Sequence, residues 1–129
     1  MSFKLAENDY VWWPTAIEVP VDGGNTETHQ LEAQYDLLDQ DEYNELVDDD
    51  IVFLVRVVKD WKDVTDHNDQ PLPCTKENKL KLFKSRGYIR LGFLSAYHEA
   101  VTGIKAKNLQ GQPASGRKGR KPRNRKSTN

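Results

Sequence analysis

Apolar and polar residues alternate along the N-terminal third of the chain. From Val11 to Val21 the odd positions from Trp13 onwards share one face, and from His29 to Leu37 the odd positions after His29 are apolar while the even ones are polar. A period of two indicates strands with one face in water. The linker Asp22-Gly23-Gly24-Asn25 supplies residues that accept positive φ, so the sequence predicts an antiparallel hairpin.

The first of these strands carries two prolines and a tryptophan pair. Pro14 and Pro20 cannot donate to a ladder, which places this strand at a sheet edge or interrupts it. Trp12 and Trp13 have two interpretations: core side chains at a strand start, or an association surface on an edge strand.

After Leu38 the apolar period changes to that of a helix. Asp39 with Glu42 resembles a capping box, and a short acidic helix follows on Tyr43, Leu46 and Val47. Three acids then precede residues 51–61, whose apolar stripe predicts a second helix: Ile51, Leu54, Val55, Val58 and Trp61. The β-branched content of this segment leaves a buried strand as the alternative.

Two further helices follow a polar, proline-containing loop over residues 62–74. Thr75 caps the first, which carries Leu80 and Phe83 and ends at Arg86-Gly87. The last runs from about Tyr88 to Thr102 with Gly103 at its C-cap, and its apolar face holds Ile89, Phe93, Ala96 or Tyr97, and Ala100. The fold class is therefore α+β, an N-terminal antiparallel β-hairpin followed by about four α-helices.

Charge divides the chain into two parts. Residues 1–104 hold all 20 acidic residues and ten basic ones, whereas residues 105–129 hold nine basic residues and no acidic one. The second part is also nearly devoid of apolar residues and cannot offset the cost of ordering its backbone. We therefore expect one α+β domain over 1–104 and a flexible, disordered basic tail over 105–129.

Each charged part has two interpretations. Between Leu5 and Val55 there are 14 acidic residues and neither Lys nor Arg, which gives either a solubilising surface or one half of a contact with a basic partner, the tail included. The tail either binds nucleic acid by neutralising phosphates or serves as a solubilising or docking segment. Its basic residues cluster near the end of the chain: Arg117, Lys118, Arg120, Lys121, Arg123, Arg125 and Lys126.

The sequence contains no motif of catalysis, cofactor binding or metal binding. Nucleophile, phosphate-loop and paired-cysteine signatures are missing, and the three histidines lie in no ligand spacing. Four aspartates recur every third residue from Asp60 to Asp69, but without a calcium loop's alternate ligands and central glycine, so we interpret them as a solvated turn. We expect no enzyme, no cofactor and no metal; an active site assembled from distant residues would need a cleft that only a structure can show.

The lengths of the apolar runs and the presence of a single cysteine constrain the cellular location that we expect for the protein. The longest apolar run, Ile51 to Val55, is far below the ~20 residues that cross a bilayer, so we expect no membrane span. The first residues have no apolar stretch typical of a secretory signal. The lone Cys74 is consistent with a reducing cytosol.

Several segments, in order, resemble the tail assembly chaperones of long-tailed, lambda-like bacteriophages. These are the Trp-Trp-Pro opening of the hairpin with Asp22-Gly23-Gly24, the strand end Leu38-Asp39-Gln40-Asp41-Glu42, the run from Val58 to Val64 leading to Pro71-Leu72-Pro73, and the final helix. The resemblance covers residues 10–104. Cys74 stands where the family has an aromatic residue after Pro-Leu-Pro.

The resemblance implies a non-enzymatic chaperone made in the cytoplasm of the infected cell and absent from the mature virion. Such proteins bind the tape-measure protein and the tail-tube protein, and a longer form arises by ribosomal frameshifting near the C-terminus. We add an expectation of weak self-association. Our candidate partner-binding residues are Trp12, Trp13, Trp61 and Tyr97. The alternative is a small nucleic-acid-binding protein acting through its basic C-terminal tail.

Overall fold

The computed structural model describes residues 2–5 and 7–103, and the basic tail lies outside the described residues. The described residues form seven elements in chain order: β1 (Tyr10–Val21), β2 (Asn25–Asp36), α1 (Gln40–Leu46), α2 (Asp50–Val57), β3 (Val58–Lys62), α3 (Lys76–Ser85) and α4 (Gly87–Thr102). The strands form one antiparallel sheet in the order β1-β2-β3, so the predicted α+β class is confirmed.

The predicted hairpin is present and long. β1 and β2 pair in register from Tyr10 opposite Asp36 to Val21 opposite Asn25. Gly23 and Gly24 take the left-handed φ values of 91° and 82° that the tight connection requires. Residues 20–30 are exposed, so this end of the hairpin extends beyond the layer of helices.

The third strand corrects the helix predicted over residues 51–61. The helix ends at Val57, and Val58 begins β3, whose Trp61 lies opposite Ala33 of β2. Val58 and Trp61 are both buried in the core although they lie three residues apart, because the pairing with β2 shifts register between Gln34 and Tyr35 and leaves one extra residue in β3. The Nζ of Lys79 donates hydrogen bonds to the carbonyls of Val55 and Val58, at 2.9 and 2.8 Å, and so satisfies acceptors at the junction.

The predicted helix caps are confirmed. The side chain of Asp39 accepts a hydrogen bond from the backbone N–H of Glu42, and Thr75 accepts one from that of Asn78. Gly103 has a left-handed φ of 73° and donates its N–H to the carbonyls of Glu99 and Ala100. These local signals set the helix ends because each satisfies backbone groups that the helix itself leaves unpaired.

The core lies between the sheet and the helices and is rich in aromatic rings. α4 packs along β1, α2 contacts β2 and β3, and α3 packs against α2 and α4. The largest fully buried side chains of the core are Tyr35, Tyr97, Phe53, Phe83 and Phe93. Phe83 and Phe93 meet edge to face at a centroid distance of 5.1 Å, the geometry that aromatic pairs prefer.

One hydroxyl pair is buried within this core. The hydroxyls of Thr15 and Tyr35 are 2.7 Å apart, which joins the inner faces of β1 and β2. Burial raises the pKa of Tyr35, and the hydrogen bond with Thr15 offsets this only in part.

The raised pKa of Tyr35 predicts alkaline destabilisation. Above the ordinary tyrosine pKa of 10.0 the unfolded chain ionises while the folded one keeps its proton, so the free energy of unfolding falls as pH rises. The slope is up to about 1.4 kcal/mol per pH unit for this group. We expect Tyr35→Phe to be less stable by about 1 kcal/mol at pH 7 and to lose that part of the alkaline slope.

Urea denaturation between neutral pH and pH 11 measures both effects. The surface substitution Tyr10→Phe is the matched control, since Tyr10 is 50% exposed. An alkaline slope that is the same in Tyr35→Phe and in the wild-type protein would contradict the prediction.

Candidate partner-binding surface

The two adjacent tryptophans lie on opposite faces of the sheet. Trp13 faces the helices, and its Nε1 donates a hydrogen bond to Oε1 of Glu99 on α4 at 3.2 Å. Trp12 faces outward, and the Nζ of Lys62 lies 4.5 Å from its ring centroid, within the range of a cation–π contact. Both rings are partly buried, so Trp13 ties α4 to β1 while Trp12 remains on an accessible face.

The other two candidate residues are core side chains. Trp61 is 7% exposed, and its Nε1 donates to the carbonyl of Leu72 at 2.6 Å. Tyr97 is 1% exposed, and its hydroxyl accepts from the N–H of Leu38 at 3.0 Å. Both rings lie in the core, on the same face as the other core residues of their elements, so their role in partner binding stays a prediction.

A shallow groove runs along the outer side of β1 where α4 crosses it. This edge groove encloses a cavity of about 220 Å³ lined by Pro14, Ala16 and Glu18 of β1 and by Gly92, Ser95 and Glu99 of α4. It continues past Leu91, which is 65% exposed. Its lining contains the small side chains of Ala16 and Ser95 and the carboxylates of Glu18 and Glu99, which suits an apolar partner segment with basic flanks.

Gly92 determines the depth of the edge groove. A Cβ atom at this position would lie 2.6 Å from Cδ1 of Ile17 and 2.7 Å from the carbonyl oxygen of Ala16. The helix therefore approaches the strand as closely as a glycine allows. This glycine is a packing position that the helical pattern of the sequence did not reveal.

Pro14 and Pro20 reduce the ability of the free edge of β1 to pair with a further strand. The carbonyl of Asp9 accepts a hydrogen bond from the N–H of Leu37 at 2.9 Å, and in an antiparallel ladder this pairing recurs at every second residue. The even positions of β1 therefore direct their backbone groups away from β2, and Pro14 and Pro20 are even. Since two of these positions lack an N–H, a partner meets side chains here more readily than it adds a strand.

A charged cluster joins α1, α2 and β2. Arg56 donates from Nε and Nη2 to the two carboxylate oxygens of Glu42, at 2.7 and 3.1 Å, and from Nη1 to Asp36 at 2.9 Å. Burial alone would lower the pKa of Arg56, but the hydrogen bonds to both carboxylates outweigh it and raise the pKa. The three charged side chains are thus paired with one another across α1, α2 and β2, which indicates a structural role.

The remaining polar side chains of interest form local contacts. Asp66 accepts from the N–H groups of Asn68 and Gln70, and Asp63 and Asp69 have positive φ, so the aspartate-rich segment is a turn. Nδ1 of His98 is 2.9 Å from the carbonyl of Leu94, and its Nε2 is 3.0 Å from the hydroxyl of Tyr43. Within the described ranges no group of three or more His, Cys, Asp or Glu could hold a metal ion.

Cys74 is half-buried and unpaired by any disulfide. Burial raises the pKa of its thiol to about 11. Because the thiolate is the reactive form, this cysteine is a weak nucleophile at neutral pH.

No helix in the described part of the chain is long and apolar enough to cross a membrane. No protein-family model, curated protein or solved structure matches this chain.

Proposed function

We propose that this protein is a tail assembly chaperone of a long-tailed bacteriophage. In this role it binds the tape-measure protein and the tail-tube protein in the host cytoplasm, performs no catalysis and leaves before the tail is complete. The proposal rests on the family resemblance of the sequence over residues 10–104.

One structural observation supports it. The segments that carry the resemblance are distant in the sequence, yet they form β1, β3 and α4 of one layered unit. In this proposal the tape-measure protein is long and helical. To bind it, the chaperone needs a surface on which apolar side chains are bordered by charged ones. The edge groove, whose lining includes the exposed Leu91 and the carboxylates of Glu18 and Glu99, offers such a surface.

Co-expression with the tape-measure protein of the same phage tests the proposal. We expect the chaperone to keep the tape measure soluble and to co-purify with it. Leu91→Glu is expected to reduce the co-purified amount about tenfold, since burying an unpaired carboxylate in an apolar contact costs at least about 1.4 kcal/mol. Val52→Glu is the control, because Val52 is 48% exposed on α2 and does not line the groove.

One outcome would contradict the proposed function, and another would contradict only the choice of the edge groove as the binding surface. A tape measure that stays insoluble and fails to co-purify would remove the chaperone function itself. Retained binding in Leu91→Glu would keep the function and move the contact away from the edge groove. Sedimentation at several concentrations tests the expected weak self-association.

The alternative function is nucleic-acid binding through the basic tail, whose residues 117–126 lie outside the described part of the structure. The observation in its favour is the concentration of nine basic residues, without an acidic one, after position 104. It predicts an affinity for DNA that falls steeply with salt, because each neutralised phosphate releases counterions. Full-length protein that shows no gel shift at low salt would exclude it.

A further inference from the structure

The exposed face of α1 and of the start of α2 has carboxylates but no cation. Seven of the twelve residues from Asp39 to Asp50 are acidic. Within the described residues, Glu42 pairs with Arg56, and Asp39 and Asp49 cap helices. The other four are exposed and meet no hydrogen-bond donor or cation there; we call them the acidic face: Asp41, Glu45, Asp48 and Asp50.

The described chain ends near α1, although α4 contacts the core-facing side of that helix, through Tyr43, and not the acidic face itself. The ring of Tyr97 on α4 stacks on Tyr43 of α1 at a centroid distance of 6.3 Å and an interplanar angle of 11°. Tyr43 also hydrogen-bonds to His98, one residue further along α4. Gly103 follows five residues later, a rise of about 8 Å along the helix. The chain therefore leaves the domain next to α1.

The length and charge of the remaining segment fit this surface. After Gly103 there are 26 residues, which span at most about 90 Å when extended, whereas α1 is only about 10 Å long. They carry nine Lys or Arg and no acidic residue. A single exposed ion pair contributes little, but a tethered segment meets the surface at an effective concentration in about the millimolar range.

We propose that residues 105–129 dock onto the acidic face of the same chain through electrostatic attraction. The body thereby neutralises its own excess negative charge, and the tail's cations are sheltered from other polyanions. The contact weakens with salt, because exposed charges are screened: the Debye length falls from about 30 Å at 0.01 M to about 3 Å at 1 M. This inference does not depend on the chaperone function.

Nuclear magnetic resonance of the full-length, ¹⁵N-labelled protein tests the docking. Raising salt from about 0.01 M to about 1 M is expected to shift the backbone amides of residues 40–50, as screening releases the tail. A tail-neutral variant should already show the high-salt positions at low salt. It replaces seven residues with glutamine: Arg117, Lys118, Arg120, Lys121, Arg123, Arg125 and Lys126.

A matched control removes cations from another part of the chain. The variant Lys76→Gln, Lys81→Gln, Lys84→Gln changes charges on the exposed side of α3 and should leave the amides of residues 40–50 at their wild-type positions. Identical low-salt positions of these amides in the wild-type and tail-neutral proteins would overturn the proposal. Equal changes in the control and tail-neutral variants would also overturn it, since they would show a general field effect.

A spin label separates contact within one chain from contact between chains. In the background Cys74→Ser, a label on Ser127→Cys should broaden the amides of residues 40–50 more than those of α3. In a mixture of labelled ¹⁴N protein and unlabelled ¹⁵N protein, the broadening should vanish. Broadening that persists in the mixture would overturn docking within the same chain, and uniform broadening over α1 and α3 would overturn the choice of surface.

Discussion

Replacing Arg56 with methionine is expected to cost about 3 kcal/mol of folding free energy, the lower end of the range for breaking a buried ion pair. Asp36 is 5% exposed, and its carboxylate would lose the cation that lies 2.9 Å away. The expected loss of stability lies at the lower end of that range because the side chain of Arg56 is itself 33% exposed. Urea denaturation at pH 7 measures the loss.

The double variant Arg56→Met, Asp36→Asn identifies the cause of that loss. If the cost comes from an unpaired buried carboxylate, removing the charge of Asp36 should restore a large part of the stability. A single variant Arg56→Met that loses less than about 1 kcal/mol would show that water reaches Asp36 well enough to replace the guanidinium.

Replacing Gly92 with leucine is expected to separate α4 from β1 and to abolish the cooperative unfolding transition. Even a Cβ would lie 2.7 Å from the carbonyl oxygen of Ala16, which is backbone and cannot rotate away. Gly92→Ala should cost about 1–3 kcal/mol from overpacking, in spite of the roughly 1 kcal/mol by which alanine favours a helix. Thermal unfolding followed by circular dichroism measures both variants.

Gly87→Ala is the control on the same helix. A Cβ at Gly87 would meet only the flexible end of Arg90, at 3.6 Å, so this substitution should leave stability unchanged or slightly higher. If Gly92→Ala is as stable as Gly87→Ala, the close contact between α4 and β1 is not required by the fold.

Local patterns predicted much of this fold because they act over a few residues. The alternation in β1 and β2, the glycines of their turn and the caps at Asp39, Thr75 and Gly103 each concern neighbouring positions. In the sequence a strand was only the alternative for this segment, because a five-residue strand that follows directly on a helix has no turn signal before it. The chain changes from helix at Val57 to strand at Val58 because β3 pairs with β2, which lies more than twenty residues earlier in the sequence.

The candidate partner-binding surface also combines features that local patterns predict with features that depend on contacts between distant elements. That Trp12 and Trp13 point to opposite faces follows from strand geometry, since successive side chains alternate. The burial of Trp61 and Tyr97 agrees with their places on the predicted apolar stripes, whereas the contacts of Trp61 with Phe83 and Phe93 cross between elements and have no local signal. The need for Gly92 arises only from the crossing of α4 over Ile17, a distance that no local pattern contains.

The overhanging end of the hairpin has a practical consequence. Because residues 20–30 are exposed and the turn lies beyond the helices, Asp22, Gly23 and Gly24 make no contribution to the packed interior. A peptide epitope or fluorescent reporter inserted in this turn would leave the aromatic core, the edge groove and the acidic face in place. The turn between β1 and β2 is thus a suitable insertion site for imaging and capture tags, at the opposite end of β1 from the start of α1.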